Sequence, residues 1–362
     1  MKPMRTGIMG CGNISQVYFE AAGRLDALDI VACADLDRTR AEEKAGAFPG
    51  VKAMTPKALL ADKSIGLVLN LTVPKAHADV TLAALQAGKH IYSEKPLALT
   101  REEALAIGDL ARKKGRVVGC APDTFLGAGI QTARKLVDDG WIGTPVAATA
   151  YMMCHGHESW HPAPEFYYEA GGGPLFDMGP YYLTALVTLL GPVARVCASA
   201  RASFPDRLIT SEPQRGKRIT VETPTHIAGV LDFDTGAIGN LIMSFDVWDH
   251  HLPCIEIYGS GGSLQLPDPN TFGGTLLYRR AGAAEWSAIP HTHGYAEQSR
   301  GIGAADLVQA LEEERPPRAS LAMASHVLDV MHGFLKSSES GRHIRLESRC
   351  ERPAAMPLGE SR

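Results

Sequence analysis

No apolar run in this 362-residue chain approaches the ~18–20 residues that a membrane-spanning helix needs. No Cys-x-x-Cys pair occurs, and the seven cysteines (Cys11, Cys33, Cys120, Cys154, Cys197, Cys254 and Cys350) are scattered and odd in number. That pattern argues against a disulfide frame and suits reduced, mostly buried thiols, so a cytoplasmic setting is expected. Charge of one sign is not in excess either, since 36 basic and 40 acidic residues leave a formal net charge of −4. Nothing electrostatic therefore calls for nucleic acid or an anionic membrane as a partner. The opening MKPMRTGIMGCGNIS lacks the apolar stretch and cleavage site of a signal peptide and reads as a strand running into a turn. Internal repeats are absent. What is present is an ordinary globular mixture, 45% hydrophobic and 21% charged, in a length that suits two domains.

In the first part of the chain, short apolar runs alternate with helical stretches. Strands are expected at residues 6–10, 29–35, 65–72, 90–96 and 116–122. Helices are expected at Ser15–Leu25, at Arg38–Ala47 and from Pro74 to Gly88, where Ala87-Gly88 reads as a stop. Thr100 caps a further helix, with Glu103 completing a capping box. This repetition argues for a doubly wound parallel sheet, and the continuously apolar run 65–72 suits a strand covered on both faces. After Ala121 the texture changes. Strands at 146–153, 226–233, 237–245, 254–259 and 274–280 are joined by turn signals such as Asp234-Thr235-Gly236 and Gly259-Ser260-Gly261-Gly262, which suits an antiparallel sheet. Helices are expected over 129–140, Tyr181–Leu190, Ala304–Glu314 and Leu321–Lys336. The expected fold class is α/β: an N-terminal Rossmann domain over 1–122, a C-terminal α+β domain on an open, mainly antiparallel sheet over 123–347, and a disordered polar tail over 348–362. The strands from Ala228 to Gly259 carry apolar residues on both faces (Ile238, Leu241, Ile242, Met243 and Phe245), so the outer face is expected to bury against a second copy.

Gly10-Cys11-Gly12-Asn13-Ile14-Ser15 follows the first strand and opens the first helix. One glycine permits the tight turn and the next lets the backbone approach a pyrophosphate at the helix N-terminus, while Ser15 stands where a third glycine is usual. Gly10, Gly12, Asn13 and Ile14 are thus candidate cofactor residues. Asp35 ends the second strand, where a carboxylate accepts hydrogen bonds from the adenine-ribose hydroxyls and repels a 2′-phosphate, favouring NAD over NADP. Thr72, Pro74 and His77, at and just beyond the end of the third strand, are counted with the cofactor residues. Glu94-Lys95-Pro96 closes the fourth strand, and ligands of doubly wound sheets bind beyond the carboxyl ends of the strands. Lys95 is therefore expected near the nicotinamide, polarising a hydroxyl or carbonyl oxygen, with Glu94 beside it and Pro96 fixing the backbone. In the second half, His155-Gly156-His157-Glu158-Ser159-Trp160-His161-Pro162 leaves a strand into a loop. It makes an unconvincing zinc site, and no metal is expected. His155, His157, Trp160 and His161 instead suit sugar hydroxyls or an anion. Asp123, after the fifth strand, is counted with the substrate residues and, like parts of 246–251, is placed at the domain junction.

The run Gly171-Gly172-Gly173-Pro174-Leu175-Phe176-Asp177-Met178-Gly179-Pro180-Tyr181 completes a pattern. With GCGNIS, Asp35 and EKP in this order, the sequence resembles the glucose–fructose oxidoreductase / inositol dehydrogenase / MocA (Gfo/Idh/MocA) family. That family shows glycines and then Asp-x-Gly-x-His on the first turn of a helix. The resemblance covers nearly the whole chain, including GFLKSSESGRHIRL at 333–346. It implies a Rossmann domain with an open-sheet substrate domain, bound NAD(P), and a homodimer or homotetramer through the sheet face. It also implies Lys95 as catalytic lysine and Asp177 as substrate-binding aspartate. The family histidine falls on Tyr181, which is the main departure. Asp177 and Tyr181 remain i, i+4 on one helix face, and Pro180 is tolerable in a first turn.

A phenol titrates near ~10 and an imidazole near ~6.5, so Tyr181 serves as acid or base only with a lowered pKa, for which Lys95 is the candidate cause. Otherwise Tyr181 only hydrogen-bonds substrate, and Lys95 or a histidine of the 155–161 loop takes the proton. The expected activity is reversible hydride transfer between NAD and a secondary alcohol of a sugar or polyol. An NAD-dependent glycosidase that oxidises, eliminates, adds water and re-reduces is the alternative. A non-catalytic sensor is opposed by the intact EKP and Asp177.

Overall fold

The computed structural model describes residues 2–359, which fall into two compact units. The first comprises the chain to Leu126 together with Gln298–Leu328, and the second comprises Gly127–Glu297 and Asp329–Gly359. Gln298–Leu328, expected with the second domain, thus returns to the first.

The first unit opens with β1 (Met4–Met9), α1 (Ser15–Ala22), β2 (Leu28–Ala34), α2 (Arg38–Ala47), β3 (Lys52–Met54), α3 (Pro56–Ala61) and β4 (Leu67–Asn70). It continues through α4 (His77–Gln86), β5 (His90–Ser93), α5 (Arg101–Lys114) and β6 (Val118–Cys120). Among the described residues these strands make one six-stranded sheet of order β3-β2-β1-β4-β5-β6, parallel throughout. The order reverses between β1 and β4, and every βα loop leaves from the carboxyl edge, which is where such sheets bind ligands. β3 and α3 were not expected. Three residues with no apolar run do not signal a strand, although Thr55 accepting from Ala58 N–H and Pro56 at the first helical position are a legible helix start. The capping box at Thr100 and Glu103 forms as expected, and Gly115 ends α5 in the left-handed conformation.

The second unit contains α6 (Ala128–Asp138), β7 (Pro145–Met153), α7 (Gly173–Leu190), β8 (Val193–Arg201), β9 (Asp206–Leu208) and β10 (Arg218–Thr220). β11 (His226–Phe233), β12 (Ile238–Ser244), β13 (Ile255–Gly259), β14 (Gly262–Leu266), β15 (Leu276–Arg280) and β16 (Ser287–Ile289) follow. The chain then forms α8 (Ile302–Glu312) of the first unit, α9 (Leu321–Ser340), whose residues belong to both, and β17 (Ile344–Arg345) of the second. The sheet order is β16-β15-β14-β13-β7-β12-β11-β8-β17 among the described residues, antiparallel except for β7 and β12. β9 and β10 pair separately as a hairpin. Strict alternation runs along β11, with Ile227, Gly229, Leu231 and Phe233 buried and Ala228, Val230 and Asp232 half-buried. The buried face packs on helices: α7 lies on β7, β11 and β12, and α6 on β14 and β15. Leu241, Met243 and Phe245 therefore point inward, whereas Ile238 and Ile242 lie on the uncovered face.

Three expectations are corrected. α7 begins at Gly173 rather than Tyr181, which puts Asp177 in its second turn and Pro180 inside the helix instead of in a first turn. The glycine run ahead of it suppressed the helical signal, and burial of nearly the whole helix offsets the bond that Pro180 cannot make. β14 starts within the Gly259–Gly262 segment read as a turn. The stretch 348–359, expected to be disordered, is tied down: Arg352 donates to the Thr188 carbonyl at 2.9 Å and to Asp138 at 2.7 Å, and Met356 N–H donates to Gln131 Oε1 at 2.8 Å. The last three residues of the proposed tail lie outside the described residues. No helix among the described residues is long and apolar enough to cross a membrane.

Candidate functional site

In the first unit the glycine loop after β1 is set by close packing. Gly10 has φ of 96°, and a Cβ there would lie 2.5 Å from the Leu71 carbonyl oxygen, so only glycine fits. Gly12 has no atom within 4 Å of where a Cβ would sit, which leaves its backbone open to a ligand. Asn13 is exposed and Ile14 half-buried at the start of α1. Asp35 is pinned at the end of β2, its Oδ2 accepting from Cys11 N–H at 2.7 Å and its Oδ1 from Asp37 N–H at 2.9 Å. Each carboxylate oxygen keeps a second lone pair for a ribose hydroxyl. An open Gly-x-Gly backbone, a helix N-terminus and a fixed carboxylate one strand away fit the phosphates and ribose of a dinucleotide.

Other residues expected to bind ligand shape the loops instead. His77 is 1% exposed, with Nδ1 2.6 Å from the Pro96 carbonyl and Nε2 2.9 Å from the Thr72 carbonyl. The ring thus lies between a carbonyl of the loop after β4 and one of the loop after β5, and burial pushes its pKa down, so the neutral imidazole donates its one N–H to one of the two. Thr72 is held by Asn70 Oδ1 through its own hydroxyl at 2.7 Å, and Pro74 opens the turn that leads into α4. Glu94 is buried, accepting from the Tyr18 hydroxyl at 2.9 Å and from Lys95 N–H at 3.0 Å, so it fixes the loop that carries Lys95. Lys95 itself is half-buried at the carboxyl edge after β5, and its bond to Pro96 is cis. Asp123 is corrected as a substrate residue. Its buried Oδ2 accepts from Gly301 N–H at 2.8 Å and Gly303 N–H at 3.0 Å, anchoring the start of α8. Burial pushes its pKa up to about 6 despite those two bonds.

In the second unit the structure brings His157 to Asp177, with Nε2 and Oδ2 3.4 Å apart. The His157 ring is boxed by Tyr167 at 4.0 Å, Phe245 at 4.7 Å and Trp160 at 5.2 Å between centroids. Tyr181 follows one turn further along α7 and is buried. His155 does not join this group. It stacks on Trp248, 3.4 Å between centroids and 11° from parallel, and burial and Arg207 push its pKa down. His161 turns its Nδ1 to Ala163 N–H at 3.0 Å and packs against Phe166, while Trp160 is 61% exposed. Among the described residues no cluster of three or more His, Cys, Asp or Glu is arranged to hold a metal.

What the sequence did not reveal is the pedestal beneath this loop. Arg207, from β9, pairs with Glu158 at 2.9 Å and with Asp246, and donates to the Phe245 carbonyl at 2.7 Å. Tyr168 donates to the other oxygen of Glu158, and Thr225 donates to Asp246 at 2.8 Å. Tyr168, Ile209, Ile219 and Phe245 form a small core around the network. Gly156 has φ of 78°, and a Cβ there would meet the Tyr168 hydroxyl at 2.1 Å, so the loop closes only on glycine. An arginine in a three-residue strand without an apolar run carries no local mark of burial, and only its partners, 39 and 49 residues away in sequence, create it.

Residues 4–121 match the model of the oxidoreductase family with an NAD-binding Rossmann fold, and residues 130–265 match the Gfo/Idh/MocA C-terminal domain. An uncharacterised oxidoreductase of Schizosaccharomyces pombe is 28% identical over 61% of this chain and 64% of its own length. Inositol 2-dehydrogenase 3 of Saccharopolyspora erythraea is 28% identical over 74% of each chain. The structure of levoglucosan dehydrogenase superposes with a TM-score of 0.84, covering 97% of this chain and 100% of that one, and its 21% identity makes this a likeness of fold. Two consecutive domain models of one family, on the two units that the structure separates, leave one assignment: the chain belongs to the Gfo/Idh/MocA family of NAD-binding oxidoreductases.

Proposed function

We propose that the protein is an NAD-dependent dehydrogenase that transfers hydride to or from a secondary alcohol of a sugar or polyol. The observation that carries this reading is the placement of Lys95 on the same carboxyl edge of the parallel sheet as the Gly10–Gly12 loop and Asp35. A cation there stabilises the negative charge that develops on an alcohol oxygen as its proton leaves. NAD supplies the hydride acceptor. Gly10, Gly12, Asn13 and Ile14 receive its phosphates, and Asp35 accepts from the adenine-ribose hydroxyls. On the substrate side Asp177 orients a neighbouring hydroxyl. Tyr181, which stands where the family pattern carries histidine, is read as the group that takes the alcohol proton, with Lys95 as the alternative. Relatives named as inositol 2-dehydrogenase, D-xylose dehydrogenase and D-glucoside 3-dehydrogenase support a sugar or polyol as the substrate class.

The test is NADH formation with myo-inositol, D-xylose, levoglucosan and a methyl D-glucoside, followed by Lys95→Met and Tyr181→Phe. Lys95→Met is expected to cost at least ~100-fold in kcat with NAD affinity nearly intact. Tyr181→Phe within a few-fold of wild type across pH would show that the phenol only positions substrate. Release of an aglycone from the glucoside without net NADH would point to the redox-neutral glycosidase instead.

A further inference from the structure

We propose that His157 is the positioning residue of Asp177, supplying from a separate segment the imidazole that the family pattern carries where this chain has Tyr181. The inference rests on the reading of Asp177 as a substrate ligand. Asp177 Oδ2 lies 3.4 Å from His157 Nε2, and the two side chains are 20% and 11% exposed. His157 Nδ1 is buried with no hydrogen-bond partner among the described residues. A neutral imidazole has one N–H to place. On Nδ1 that hydrogen would be an orphaned buried donor, and the Nε2 lone pair would face a carboxylate. On Nε2 it donates to Asp177, leaving only an acceptor unmatched, so the surroundings select the Nε2–H tautomer.

The ring is also held in place. Tyr167, Phe245 and Trp160 pack around it, Phe245 belongs to the small core with Tyr168, and Glu158, the next residue, is bound by Arg207 and Tyr168. With one nitrogen on Asp177 and the other packed away, His157 offers nothing to a substrate directly. It acts through the carboxylate by holding one rotamer, so that binding a hydroxyl does not have to order Asp177. The histidine has therefore changed role as well as place: at the family position it is a candidate for the proton, here it aims its neighbour.

Two measurements test this. In ligand-free protein labelled with 15N-histidine, the His157 signal, identified by its loss in His157→Gln, is expected to show a protonated Nε2 and a bare Nδ1. Asp177→Ala should then shift it toward a mixture of tautomers. A protonated Nδ1 in the wild type, or no response to Asp177→Ala, overturns the pairing. On whichever of the four sugars above is turned over, His157→Phe keeps an aromatic ring but loses the donor. KM is expected to rise on the order of 10–100-fold with kcat within a few-fold, and His157→Gln, which keeps a donor, to recover most of it. An unchanged KM in His157→Phe, or no recovery in a folded His157→Gln, overturns the role. If the wild type turns over none of the sugars, the dehydrogenase reading fails, and the 15N spectra still decide whether the pair exists.

Discussion

Asp35 and Asp123 show how burial decides what a carboxylate does. Asp35 is half-buried and pinned by two backbone N–H groups at the edge of the sheet, and in the proposed site a 2′-phosphate would have to come against its charge. NADP is expected to bind at least ~10-fold more weakly than NAD, the discrimination of about 1–3 kcal/mol that an unpaired anion imposes. Equal affinities in a calorimetric titration would refute this reading. Asp123 is wholly buried, and its pKa near 6 lies above the 3.8 of a free carboxyl. The sign follows: between those pH values the folded state holds the proton more tightly than the unfolded chain, so this group lowers stability as pH rises from about 4 to 6. Asp123→Asn keeps an acceptor for Gly301 and Gly303 and cannot ionise. Relative to the variant, the wild type should lose on the order of 2–3 kcal/mol across that window and differ by a constant above it, as read by urea unfolding at several pH values. A constant difference from pH 4 to 7 would show that Asp123 is not perturbed.

Elements here are held by contacts that skip along the chain. The loop 155–161 owes its shape to β9, whose Arg207 guanidinium lies between Glu158 and Asp246 with only 4% of its side chain exposed. Removing that cation would leave two buried carboxylates without it, and breaking a buried pair in this way costs about 3–5 kcal/mol. Arg207→Met is therefore expected to lower stability by that amount and to speed hydrogen exchange in 155–161 before it affects the first unit. A loss below ~1 kcal/mol would mean that the network is solvated rather than buried. α7 shows the converse, since Pro180 breaks a local rule inside an 18-residue helix that is buried along most of its length. Packing sustains a bond pattern that propensity alone would have ended.

At the scale of the whole molecule, the uncovered face of the nine-stranded sheet is the feature to explain. Among the described residues, Ala228, Val230, Ile242 and Tyr151 lie there half-buried, next to Asn240, whose Oδ1 is buried without a partner. The proposed assembly is a homodimer or homotetramer with this face buried against a second copy. Sedimentation at micromolar concentration should give a dimer or larger species, and Ile242→Glu, which puts a charge in the middle of the face, should give a folded monomer. A monomeric wild type would sink the proposal.

The sequence by itself determined whatever is encoded within a few residues. Period and apolar continuity located β1, β2, β4, β5 and β6; Thr100 and Glu103 announced α5; and the Gly10-x-Gly12 spacing after a strand announced the tight turn into α1, where the positive φ and close backbone approach at Gly10 tolerate nothing but glycine. The glycine-rich approach to Asp177 and the substitution of Tyr181 were equally plain. Tertiary structure alone decided which polar residues are tools and which are fasteners. His77, Glu94 and Asp123 read as ligand contacts because they lie at strand ends, yet burial commits them to carbonyls, a tyrosine and two amides. His157 read as one of three equivalent histidines, and only a helix that begins well before its expected start brings Asp177 to its ring. The physical reason is that caps, turns and periodicity are short-range preferences, whereas the partner of a buried polar group is fixed by packing between segments far apart in sequence, where leaving it unpaired costs more than any local preference supplies.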